Sequence, residues 1–225
     1  SVVFLDAATL DVLGQVPAGA LPDMVTFTPD GEYLLVANEG EPSEDYSIDP
    51  EGSVTVIDLT NGVAGASART ATFSAWIGRE DQLRADGVQV FGTKSDGSAS
   101  NAAEDLEPEY IAVQGPRAYV TLQENNAVAV LNFGQARIEA ILPLGFKDHN
   151  VAGQGLDPSD RDGANMIQPW PVFGMFNPDS IATLKVRNEV FLLTANEGDA
   201  RVYPTGDDVV PGVEEGGLFN EEASV

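Results

Sequence analysis

Short runs of alternating apolar and polar residues, rich in β-branched and aromatic types, dominate this chain, and no amphipathic helical pattern separates them. Residues 24–28 alternate toward the turn Thr28-Pro29-Asp30-Gly31, and residues 33–37 resume a β-branched and aromatic run, which predicts a hairpin. The pattern recurs. LPDMVTFTPDGEYLLVANEG (21–40), EPEYIAVQGPRAYVTLQEN (107–125) and NPDSIATLKVRNEVFLLTANEG (177–198) each open on Pro and an acid, turn once, and close on Asn-Glu-Gly or Gln-Glu-Asn. Two more strands follow the first pair, at 53–59 and 69–73, and two follow the second, at 127–132 and 136–142.

Repetition of a four-stranded unit decides the fold class before any single element does. The expectation is an all-β protein, a β-propeller of four-stranded blades with long insertions on one face, incomplete in this chain; a β-sandwich is the alternative. The chain divides into the end of a blade (1–20), two blades (21–76 and 107–144) and the start of another (177–225), with insertions at 77–106 and 145–176. About two and a half to three blades cannot close a ring, so the remainder of the propeller is expected from the same or another chain. The starts at Pro22, Pro108 and Pro178 are spaced far more widely than the about 40–45 residues of a plain blade.

Propeller geometry puts the loop leading into an innermost strand and the loop joining the second and third strands on one face. Asp23, Glu109 and Asp179 at the blade starts, and Glu39, Glu124 and Glu197 at the ends of second strands, are therefore expected to share that face. Oxygen-rich clusters suit calcium, which takes 6 to 8 oxygen ligands. Recurring turns and strand caps would produce the same residues without a ligand.

Charge sharpens this picture. Asp and Glu number 36 against 11 Lys and Arg, a formal charge of −25, which disfavours nucleic acid as a partner and favours divalent cations. A solvated surface suited to saline surroundings is the competing reading. Cysteine is absent, which excludes disulfides and thiolate chemistry. No apolar run reaches the about 18 residues of a membrane span, and a signal peptide, if the protein is exported, is expected upstream.

GLDPSDRDG (155–163) sets Asp157, Asp160 and Asp162 close together and ends in glycine, in the manner of a calcium loop but without EF-hand spacing. The acid-rich loop 39–51 suits cations or the open surface, and NEGDAR (196–201) adds Asp199 as a metal candidate. Arg201 could clamp a phosphate or carboxylate, although a salt bridge is its more frequent use. His149 is the sole histidine, so a general base would have to be this residue. His149 and Arg201 are thus weak catalytic candidates, with no phosphate-cradling glycine loop or nucleophile elbow beside them.

PDGEYLLVANEG followed by GSVTVIDL resembles bacterial propeller repeats named for a Tyr-Val-Thr-Asn sequence. LPDMVTFTPDGEYLLVANEGEPSEDY, GLDPSDRDG and TANEGDARVY together resemble the choice-of-anchor I domain, a secreted bacterial family related to mesenchyme-specific cell-surface glycoproteins. That resemblance implies a secreted or surface location, with the periplasm as an option. It also brings labels of alkaline phosphatase or phytase-like activity. The expected function is a secreted or cell-surface calcium-binding module; the alternatives are a calcium-dependent phosphoester hydrolase and a lactonase-like hydrolase.

Overall fold

The alternating runs fold as antiparallel hairpins, and several of their turns are held by bonds from their own side chains. A computed structural model describes residues 1–43, 47–91, 98–159, 162–198 and 201. β1 (Val2–Leu5) pairs with β2 (Val12–Val16), and the turn between them is fixed by Asp6, whose Oδ1 accepts from the N–H groups of Ala8 and Thr9. β3 (Pro22–Phe27), β4 (Tyr33–Asn38), β5 (Ser53–Asp58) and β6 (Ser67–Thr72) follow in order as one four-stranded sheet.

The second four-stranded sheet runs through β7 (Pro108–Gln114), β8 (Arg117–Leu122), β9 (Ala127–Asn132) and β10 (Arg137–Pro143). β11 (Lys147–Asp148) and β12 (Phe173–Gly174) close the insertion after it, and β13 (Pro178–Val186) with β14 (Glu189–Asn196) forms the last hairpin.

Burial shows how the sheets are arranged. β4 is buried almost throughout, because alternate side chains serve two different cores. Leu34 and Val36 join Val16 and Ile57 on the face covered by the first hairpin. Leu35 and Ala37 point the other way, toward Ile111, Val120 and Leu131 of the second sheet. The sheets thus stack face to face, with β3, β7 and β13 neighbouring in succession. Arg69 of β6 reaches across the stack to the carbonyls of Gly134 (3.1 Å) and Phe133 (3.4 Å).

The architecture is all-β, with several antiparallel sheets and, among the described residues, no closed barrel or ring. Within the insertion at 77–106 two short helices form. α1 (Glu80–Asp86) buries Leu83 and stops at Gly87, whose φ of 95° permits the left-handed cap. α2 (Ala102–Asp105) has a capping box, in which Asn101 accepts from the Ala103 and Glu104 N–H groups while Glu104 accepts from Asn101. Both helices are too short to show a hydrophobic period. Their caps are the sequence signal.

Candidate functional site

The acids near the starts of β3, β7 and β13 occupy β-bulges at equivalent positions. In β3, Pro22 faces Asn38 and Met24 faces Ala37, so Asp23 is the extra residue. In β13, Pro178 faces Asn196 and Ser180 faces Ala195, which leaves Asp179 extra. In β7 the register slips between Pro108 and Ile111, across Glu109 and Tyr110. A bulge re-aims a side chain, and proline tolerates the first position of a strand because no ladder donor is required there. Glutamates are held beside two of these bulges: the Glu39 N–H donates to Leu21 O (2.9 Å) and the Glu197 N–H to Asn177 O (3.2 Å).

Glu109 is the buried member, with 9% of its surface exposed. Its carboxyl is pushed up to about 10, first by burial and then by the charges of Glu124, Glu39, Asp23 and Asp179. Asp23 is also raised, by burial and by Asp179. Five carboxylates from three sheets therefore act on one locus. Asp23 is exposed and Glu39 and Asp179 are half-buried, so the cluster opens to solvent on their side.

A second cluster adjoins it and contains its own cation. The Arg201 side chain is 2% exposed and lies against Asp49 (3.0 Å), Glu107 (3.1 Å) and Asp105 (3.8 Å), while also donating to Glu104 O (3.0 Å). Glu107 is raised well above the ordinary carboxylate range; burial is the main cause, opposed by Arg201 and reinforced by Glu124, Asp105 and Glu39. Glu39 and Glu124 thus act on both clusters.

Close backbone approach makes this corner possible. The Gly52 N–H donates to Ala103 O (2.9 Å), and a Cβ at Gly52 would lie 2.0 Å from Leu106 O. Buried asparagines complete the wall. Asn38 accepts from the Gly19 N–H and donates to Thr55 Oγ1 and to Ser53. Asn125 donates to the carbonyls of Gln89 and Asp105, and Asn177 to Gln123 O.

The other candidates lie elsewhere. Glu197 is exposed at the end of β14. Asp157 accepts from the N–H groups of Ser159 and Met166, and Asp162 from that of Ala164, so both acids fasten their own loop. Asp160 and Asp199 lie outside the described residues. His149 is half-buried, with Nδ1 2.7 Å from Gln154 O, and its backbone pairs with Val172 and Trp170. Among the described residues, no group of three or more His, Asp or Glu side chains has the spacing to hold a metal ion.

Asp49, Asp105 and Glu107 went unrecognised in the sequence, as did the asparagine network. A signal existed for Glu107, which immediately precedes a Pro-acid pair; Asp49 and Asp105 had only an acid-rich setting.

Stacked antiparallel sheets that gather carboxylates on one face define a class of β-rich module. The chain belongs to the choice-of-anchor I domain family, whose model matches residues 1–223. Membership implies a bacterial cell-surface or secreted protein, and no described helix is long and apolar enough to cross a membrane. Pectate lyase C of Dickeya chrysanthemi is 30% identical over 89 residues, covering 38% of this chain. That match spans 24% of the lyase.

Proposed function

We propose that the chain is part of a secreted or cell-surface β-propeller whose acidic face binds calcium, and that it acts as a binding module and not as a catalyst. The observation that carries this reading is Glu109: a buried carboxyl set among four others, with no basic side chain paired to it among the described residues. Buried charge of one sign calls for protons or cations. Among the described residues, no three carboxylates are grouped closely enough to hold a bare ion. Calcium on this face therefore keeps part of its water shell, and its affinity falls with added salt.

The propeller reading is supported by the face-to-face stacking of the sheets and by the succession β3, β7, β13. Calorimetry with calcium in low salt tests the binding. Heat that saturates at millimolar calcium and shrinks in Glu109→Gln is expected; no uptake by the wild type overturns the reading.

A further inference from the structure

The two ends of the stack are complementary halves of one sheet. β1 repeats β5 and β9: VVFLD (2–6), VTVID (54–58) and VAVLN (128–132) align, and each closes on an Asp or Asn whose Oδ1 accepts from an N–H two or three residues on. β5 and β9 pair with β4 and β8, whereas β1 pairs only with β2 among the described residues. β14 repeats β4, since FLLTANEG (191–198) aligns with YLLVANEG (33–40). β4 has a strand on each side, whereas β14 has only β13 among the described residues. One hairpin thus lacks the strand that the other resembles.

Side-chain exposure follows the same division. Leu35 of β4 is buried against the second sheet, while Leu193, at the matching place in β14, is 50% exposed. Leu184, Val186 and Phe191 share its face and are exposed with it. That face is turned away from β7, because Thr183 on the other face donates to Val113 O (3.2 Å). On the first sheet, Val25 and Phe27 lie opposite Val36 and Leu34, on the face that the first hairpin covers. The cover stops short of them and leaves Val25 53% and Phe27 57% exposed. Gly14 of β2 lies against Val63, in the connection from β5 to β6, so the open edge of β1 is on the side of this bare strip.

We propose that a second copy of this chain fills the gap: its β14 pairs with β1 to complete a four-stranded sheet, and the apolar face of its last hairpin settles on Val25 and Phe27. A chain cannot do this for itself. Its own last hairpin lies across the second sheet, where Thr121 Oγ1 donates to Asp179 O (3.0 Å) while neighbouring Val120 faces the first sheet. The inference rests on the propeller reading and names the partner that completes it. Each copy holds two whole four-stranded sheets and half of each shared one, so one copy amounts to three sheets, two copies to six and three copies to nine. Propellers close with about 4–8 blades, which selects the dimer. A head-to-tail contact that closes into a ring leaves neither edge exposed.

Sedimentation velocity of the full chain tests this. A dimer of the 23.7 kDa chain is expected. Leu193→Glu weakens it by about a hundredfold or more, because the contact would bury the new charge, and leaves circular dichroism unchanged. The chain has no cysteine, so introduced thiols report the geometry. Val36 faces Thr55 in the β4–β5 pair, which sets Thr194 opposite Val3 of the other copy. An equimolar mixture of Val3→Cys and Thr194→Cys chains then forms an intermolecular disulfide that neither variant forms alone. A monomer at up to about 100 μM overturns the inference and leaves the propeller reading standing. A dimer that Leu193→Glu leaves intact, or a mixture that links no better than its components, also overturns it. Linked species that grow past the dimer overturn the propeller reading and the closed ring with it.

Discussion

Two carboxylate clusters sit side by side and share the fields of Glu39 and Glu124, yet they do different things. The cluster around Arg201 is closed: the segment leading into β5 brings Asp49, α2 brings Asp105, the approach to β7 brings Glu107, and the guanidinium lies between them. The cluster around Glu109 opens to solvent beside Asp23, and bulges in β3, β7 and β13 place three of its five acids. Where the chain provides the cation, the acids become a clasp between distant segments. Around Glu109, the acids Asp23, Glu39 and Asp179 keep a side toward solvent.

Removing the cation from the closed cluster is the largest perturbation. Arg201→Met strands three buried carboxylates, and a loss of roughly 3–5 kcal/mol is expected in urea unfolding. Little change would mean that the clasp is solvated. Gly52→Ala attacks the same cluster through the backbone, since the new Cβ meets Leu106 O at 2.0 Å and must push the backbone at position 52 away from Leu106. A cost of roughly 1–3 kcal/mol is expected by thermal melting.

The open cluster answers in the opposite direction. Glu109 holds its proton up to about 10 when folded, against an ordinary value of 4.5. The folded state therefore binds more protons than the unfolded state between those values, and this contribution to stability falls as pH rises through that window. Denaturation at pH 5 and pH 9 should show the wild type losing more stability than Glu109→Gln, with the variant the more stable of the two at pH 9. Equal pH profiles would show that the carboxyl is neither desolvated nor crowded. The smallest effect is expected at Glu197→Gln, within about 0.5 kcal/mol in the same assay, because that acid is exposed.

Much of this was legible in the sequence. The strands at 33–37, 53–59 and 127–132 fall on β4, β5 and β9 because alternation and turn chemistry are local signals. The recurrence of Pro and an acid indicated that Asp23, Glu109 and Asp179 occupy matching places, and the bulges place them so. Partnership over distance was not legible. The local setting of Arg201 pointed to a salt bridge without naming Asp49, which is 152 residues away. The Asp157 loop illustrates the converse: oxygens spaced as ligands are occupied by N–H groups of their own turn.

That separation of 152 residues also sets an order of events during synthesis. Each hairpin needs only its own neighbours and can form soon after it leaves the ribosome, and each sheet can dock on the one before it. Asp49 must wait for Arg201. At translation rates of about 5–20 residues per second, the wait is on the order of ten seconds. During that interval Asp49, Asp105 and Glu107 have no guanidinium between them. The clasp is thus a completion signal, locking the stack only once the last described hairpin has been made.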